Sequence, residues 1–331
     1  MSASIRTAGA GTVGWRERLL RMGRRNAWSL GLVAFLVVLL VYTSTLAPRY
    51  GVSSLAIAVL PLALAAVAQA VVIIGGGIDL SIGSMMALAS VVSATAMKGQ
   101  SDEFGILVVI AVLVLGLALG LVNGVVVVVS RVPDIVVTLA MSFVWAGAAL
   151  LVRAAPGGGA AQWLKDMVLG TLGLSFLPKA AIVLAIVVAV IWIPVVRSSI
   201  GLSIYAIGSN KLAAFRSGVS VGRTKVISYV LAGLFAAVAG LSLTASTGIG
   251  TPVPGPYTLM SVAAVVLGGV SLAGGRGGLF GPIIAVMILQ LIRDDMTFLR
   301  INSNLAVVAQ GVILIGVVMI GSLVELRRSR A

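Results

Sequence analysis

Gly75-Gly76-Gly77-Ile78-Asp79-Leu80-Ser81-Ile82-Gly83-Ser84 stands where the apolar run 52–74 gives way to the apolar run 80–98. Three consecutive glycines are poor helix formers, so a helix breaks here. Backbone groups freed by a break at membrane depth are tolerated only against protein or a water-filled cavity. Transporters use such broken helices to line the solute path. Asp79 is the one acidic residue in this apolar context, and a central charge costs ~2.5–3.5 kcal/mol on insertion scales. Two compatible roles suit it: capping a helix that starts at Leu80, or bordering the path. With no second intramembrane carboxylate and no histidine, a proton relay through it is not expected. Gly76, Gly77, Asp79, Ser81, Gly83 and Ser84 are the path candidates of this segment.

A second glycine cluster follows late in the chain: Gly268-Gly269-Val270-Ser271-Leu272-Ala273-Gly274-Gly275-Arg276-Gly277-Gly278, then Gly281-Pro282. Similar breaks in two halves are the expected trace of an internally repeated transporter fold. A tight inner turn between two spans would explain many of the same glycines. Gly268, Gly269, Ser271, Gly274 and Gly275 join the path candidates. Gly116, Gly120 and Gly124, four residues apart, form a face that lets helices approach closely. Asn123 beside them is a further path candidate or a bond across a helix interface, and Gln69, Gln290 and Gln310 carry the same two readings.

Composition sets the frame. Of 331 residues, 60% are hydrophobic and 10% charged, against about half and a quarter in soluble domains. At ~20 residues per crossing, the apolar segments read as 28–47, 52–74, 80–98, 105–129, 134–152, 179–196, 226–247, 259–273, 278–292 and 305–323. The expected fold is an all-α integral membrane protein of about ten helices, some broken by glycine. Models with eight or twelve spans fit the hydropathy less well. Residues 28–323 form the transmembrane domain, with basic tails at 1–27 and 324–331. The Arg-rich start before an apolar run imitates a signal peptide, but the run is too long, so an uncleaved first span is expected.

The 23 Lys and Arg against 9 Asp and Glu are a question of sidedness, not of nucleic acid, which is excluded as a partner. Most cations fall in the tails, at Arg131 and Arg276, and in the 197–225 loop. The positive-inside rule then places both termini in the cytoplasm. Arg49, Lys98, Arg153, Lys165, Lys179, Arg293 and Arg300 remain outside, with Asp102, Glu103, Asp166, Asp294 and Asp295. The outer loop 153–178 holds room for a short surface helix. In the inner loop, the segment from Asn210 to Ser217 has helix-forming character and ends at Gly218, a plausible C-cap. It suits a partner protein, or simply anionic lipid headgroups. Without Cys or His, disulfides, thiolate or histidine metal sites and Cys nucleophiles are excluded, and no metal site or enzyme activity is expected. No G-x-x-x-x-G-K-[ST] occurs, so any ATP driving transport is hydrolysed by another chain.

From Gly76 to Ser84 the chain resembles the permease family of bacterial ABC sugar importers, the ribose/xylose/galactose type. The resemblance continues through Gly120-Leu121-Val122-Asn123-Gly124, Val132-Pro133, Thr138-Leu139, Tyr205-Ala206-Ile207-Gly208-Ser209-Asn210, Ala213-Ala214 and Ser217-Gly218-Val219. Leu267-Gly268-Gly269, Ser271-Leu272, Gly274-Gly275, Gly277 and Gly281 complete it, over roughly 55–320. The pattern departs at Arg293-Asp294-Asp295, Asp134-Ile135, Lys211-Leu212 and Pro282. The resemblance implies a ten-span permease in the bacterial inner membrane that pairs with a second permease, identical or paralogous. It also implies cytoplasmic ATPase subunits that use ATP and Mg, with no cofactor on this chain, and an extracytoplasmic sugar-binding protein. Asn210, Ala213, Ala214, Arg216, Ser217 and Gly218 are then the ATPase-coupling candidates. The expected cargo is a monosaccharide or related polyol. The rivals are a stand-alone secondary transporter or facilitator, and an ABC permease for branched-chain amino acids.

Overall fold

The computed structural model describes residues 27–302, apart from 174–176 and 254, and single positions between 305 and 319. The expected last span, 305–323, and the tails 1–26 and 324–331 lie outside the continuously described residues. Among the described residues the chain is helical, with two isolated bridges and no strand. The helices are α1 (Ala27–Leu46), α2 (Val52–Ile74), α3 (Ile82–Met97), α4 (Asp102–Ser130) and α5 (Asp134–Val152). Then come the short α6 (Gln162–Val168) and α7 (Lys179–Val196), the latter with a π-helical turn at Val188–Trp192. The series ends with α8 (Ser199–Ser209), α9 (Lys211–Arg216), α10 (Val221–Thr247), α11 (Tyr257–Leu267) and α12 (Phe280–Phe298).

Six of these, α1, α2, α4, α5, α7 and α10, are long and apolar enough to cross a membrane. Two central rods organise the rest. α2 is buried almost from end to end, and α10 packs along α2, α3 and α4. At the α4–α10 crossing the small-residue face does what its spacing suggests. A Cβ on Gly120 would stand 2.2 Å from the Tyr229 carbonyl oxygen, and one on Gly233 would stand 2.2 Å from that of Gly116. Without side chains in the way the two backbones touch, which maximises van der Waals contact where lipid offers no hydrophobic drive. The outer helices present the opposite surface: Phe143, Leu151, Val129 and Val190 are each more than two-thirds exposed. Apolar surface exposed to this extent suits an apolar solvent or a partner surface.

Several boundaries differ from the sequence reading. The 197–225 segment is not one loop: α8 and α9 occupy most of it, and α10 begins at Val221. α8 is apolar but only 11 residues long, too short to register as a span. The expected span 259–273 stops at Leu267, where the glycines begin. The next helix instead runs on past residue 292 to Phe298, so Arg293, Asp294 and Asp295 belong to a helix rather than to an outer loop. The short surface helix expected in 153–178 is α6.

Segments read as belonging to opposite sides separate to opposite ends of the bundle. At one end, Gly157 and Gly250 exchange backbone hydrogen bonds of 3.0 and 2.8 Å, and Gln162 N donates to Asp102 at 2.8 Å. There too Tyr50 and Phe298 stack edge to face, 5.2 Å between centroids. At the other end lie Arg131, α8, α9 and the 268–277 loop, where Tyr205 donates to the Gly277 carbonyl at 2.9 Å.

Candidate transport machinery

The two glycine-rich breaks, 191 residues and more apart in the chain, meet in space. After Ile74 the backbone turns at Gly76 (φ +75°), and the Gly275 N–H donates to the Ile74 carbonyl at 2.8 Å. Between them passes Gly208 of α8. A Cβ there would stand 1.9 Å from the Ile74 oxygen and 2.5 Å from the Gly275 nitrogen, a position no larger residue can share. Gly274 (φ +86°) and Gly275 (φ +68°) hold left-handed backbone conformations that glycine alone adopts at little cost. Ser209 adds a bond to the Gly275 carbonyl at 3.4 Å.

One residue beyond this junction, Asn210 accepts a hydrogen bond from Ala213 N at 3.0 Å and so caps α9. The helix ends with Gly218 at φ +84°, as its sequence suggests. Only Ala214 of α9 is buried. Leu212 is 58% and Phe215 67% exposed, beside Arg216. The coupling candidates Asn210, Ala213, Ala214, Arg216, Ser217 and Gly218 therefore lie together on one short, largely exposed element that directly follows the junction of the two breaks.

The Gly75–Ser84 segment is held by a buried polar chain. Trp145 Nε1 donates to Asn123 Oδ1 at 3.0 Å, and Asn123 Nδ2 donates to Ser81 Oγ at 2.7 Å. Ser81 Oγ and N both donate to Asp79 Oδ1, at 2.6 and 2.8 Å. Gln69, with its amide turned to satisfy both groups, donates to the Asp79 carbonyl at 2.8 Å and accepts from its N–H at 3.3 Å. Leu80 N donates to Thr138 Oγ1 at 3.0 Å. α3 begins at Ile82 rather than Leu80, so Asp79 closes the turn ahead of the helix and does not sit at the cap position. Its Oδ2 is fully buried with no partner among the described residues. Asn123, Gln69 and Ser81 thus all bond within or across the break.

Asp79 is not alone as a buried acid. Asp295, read from sequence as an outer-loop residue, is 5% exposed and accepts from Thr43 Oγ1 at 2.7 Å. Asp134 pairs with Lys225 at 2.6 Å, with both side chains about 15% exposed, and accepts from Tyr229 at 3.0 Å. At the opposite end of the bundle from α9, Tyr50 donates to Asp294. Burial, then the neighbouring carboxylate, pushes the Tyr50 hydroxyl well above its ordinary value.

Two concavities border this machinery. One, of about 270 Å³, lies between α2, α3, α11 and α12 and includes Gly83, Thr251, Tyr257, Gln290 and Arg293. Of the path candidates only Gly83 reaches it. Gly76, Gly77, Asp79, Ser81, Ser84 and Asn123 pack elsewhere, and Gly268, Gly269, Ser271, Gly274 and Gly275 belong to the loop at the α9 end. Thr251, Tyr257 and Arg293 escaped the sequence reading because they stand outside every glycine block. The second, an open depression of about 490 Å³, gathers Arg131, Asp134, Lys211 and Lys225 beside α9.

The chain is thus a helical bundle with exposed apolar faces, whose two broken segments converge beneath a short exposed helix. Residues 51–323 match the family described as "Branched-chain amino acid transport system / permease component", and the chain belongs to that family. It is 32% identical to the ribose import permease protein RbsC of Escherichia coli K12, over 90% of this chain and 96% of the relative. It is 29% identical to the D-allose transport system permease protein AlsC of the same strain, over 76% and 77%. The autoinducer 2 import system permease protein LsrD of Escherichia coli O9:H4 is 30% identical over 92% and 95%. No solved structure shows a significant match.

Proposed function

We propose that the chain is the membrane permease subunit of an ATP-driven importer for a monosaccharide or related polyol in the bacterial inner membrane. The observation that carries this is near end-to-end similarity to permeases named for ribose and autoinducer 2 import. The same similarity favours sugars over branched-chain amino acids, despite the family's description. A second permease copy or paralogue, cytoplasmic ATPase subunits and an extracytoplasmic binding protein complete the assembly. ATP and Mg act on the ATPase, and this chain holds no cofactor.

In this reading the chain crosses the membrane about ten times with both termini inside, and the α9 end of the bundle faces the cytoplasm. The concentration of Arg131, Arg197, Lys211, Arg216, Arg223 and Arg276 at that end supports the orientation. Phe215, Leu212 and Arg216 form a small amphipathic knob of the kind that fits a groove on a partner. Movement of α9 is transmitted through Asn210 and Ser209 to Gly208, where it displaces the Ile74 and Gly275 backbones together. Gly76, Gly77, Gly274 and Gly275 supply the backbone freedom for that displacement, and Asp79, Ser81, Ser84 and Asn123 keep the break folded while it moves. Alternating access follows when both breaks shift relative to α10.

The test is affinity purification of the chain from its native membrane with identification of co-purifying proteins, followed by uptake in proteoliposomes. A P-loop ATPase should accompany the chain, and Arg216→Asp or Phe215→Ser should lose it while inserting normally. Recovery of the chain alone, with solute flux in the absence of ATP, would replace this reading by a facilitator.

A further inference from the structure

The 270 Å³ cavity runs from Gly83, Met86 and Ala87 in the first turns of α3 to Thr251 and Arg293 toward the end of the bundle opposite α9, and its charge is one-sided. Arg293 is its one charged lining residue, with no acid along its wall. The neighbouring Asp294 interacts with it electrostatically but forms no ion pair with it, its oxygens being bonded elsewhere. Asp294 accepts from Tyr50 through Oδ2 and from Gln290 Nε2 through Oδ1 at 2.9 Å. Asp295 is buried against Thr43 of α1. Successive residues on a helix point about 100° apart, so both acids are drawn toward α1 and its loop while Arg293 is left in the cavity. Among the described residues Arg293 makes no ion pair. A guanidinium is an inflexible fork of donors that is always charged and matches an oxyanion in two places at once. Gln290 commits its amide nitrogen to Asp294, which leaves its carbonyl oxygen as an acceptor for hydroxyls. Thr251 and the Tyr257 ring add a hydroxyl and a flat face, and Met86 and Met260 supply adaptable apolar contact. The volume suits a molecule of about one sugar ring, below the range of larger ligand pockets.

We propose that this cavity is a solute-holding site on the extracytoplasmic side, in which Arg293 selects a sugar bearing an acidic group over its neutral counterpart. The proposal rests on the importer reading and adds a substrate class to it. A neutral sugar offers the guanidinium only single neutral acceptors, whereas an anionic group can be held by both arms of the fork as an ion pair.

The absence of cysteine makes the test direct. Thr251→Cys places a thiol that is unique in this chain in the cavity of the assembled transporter, in right-side-out membrane vesicles. Its modification by membrane-impermeant methanethiosulfonates, one anionic and one cationic, is followed on this chain alone. Relative to a free thiol, the anionic reagent should be favoured on the order of tenfold, as expected for one unit charge a few ångströms away in a wet site. Arg293→Gln should remove the bias and Arg293→Lys should keep it. D-galacturonate or D-galactose 6-phosphate should protect the thiol at concentrations at least tenfold below those D-galactose requires, a difference lost in Arg293→Gln. A thiol unreactive from outside, a bias indifferent to Arg293→Gln, absence of protection by any of the three sugars, or equal protection by galactose would each overturn the proposal. These readouts need no ATP. Failure of ATP-driven uptake with intact protection would sink the importer reading alone, and intact uptake without protection would sink this one alone.

Discussion

Gly208→Ala adds one methyl group at the point where both glycine-rich breaks and α8 converge. Its Cβ would lie 1.9 Å from the Ile74 oxygen and 2.5 Å from the Gly275 nitrogen, well inside contact distance. Both atoms are backbone, so neither can swing aside as a side chain would. The only relief is to part the strands of chain, which breaks the 2.8 Å bond between them. Overpacking costs about 1–3 kcal/mol, and a buried backbone pair left unmade costs a further ~1–3 kcal/mol. Alanine returns about 1 kcal/mol as the better helix former. The net expectation is a loss of about 1–5 kcal/mol. Gly147→Ala on α5 is the control, since nothing lies within 4 Å of its added methyl, and only the helix-propensity gain should remain. Equilibrium unfolding of the detergent-solubilised protein in mixed micelles, followed by tryptophan fluorescence, reads both. A Gly208→Ala protein as stable as wild type, or more so, would show that the breaks do not meet at this residue and that the coupling route drawn through it is wrong.

Other expectations follow from the same geometry. Gly120→Leu, which meets the Tyr229 backbone, should prevent α4 from seating on α10 and cut the yield of folded protein, and Gly120→Ala should cost about 1–3 kcal/mol in the unfolding assay. Asp79→Asn keeps the Oδ1 acceptor for both Ser81 donors and removes a buried charge, so folding and transport should survive it. Asp79→Leu strands those donors and should cost about 1–3 kcal/mol; equal loss of uptake in both, with normal assembly, would instead assign the charge a role in transport. Lys225→Met leaves Asp134 nearly buried with Tyr229 as its remaining side-chain partner, and should destabilise more than the double variant Lys225→Met/Asp134→Asn. A double-mutant cycle with no coupling would refute the pair. Gly218→Asp, at φ +84°, should strain the end of α9 and weaken ATPase co-purification without affecting insertion.

Membrane residence and the break at residues 75–81 were legible in the one-dimensional pattern, because hydropathy and helix propensity are local properties summed along the chain. So was α9, whose cap and terminating glycine are signals only a few residues apart. The Gly116, Gly120 and Gly124 spacing announced a close helix contact but not that α10 would be the partner. Nothing local marks Arg293 as a cavity residue, since the adjacent Asp294 and Asp295 look like its natural partners until Tyr50, Gln290 and Thr43 are seen to claim them. Asp295 seemed solvated because charge alone says nothing of a threonine 252 positions away. The meeting of Ile74, Gly208 and Gly275 likewise appears in no segment taken singly. Periodicity tells each segment what it can become, whereas close packing of backbones from distant segments decides which glycines touch, and that contact is a property of three dimensions.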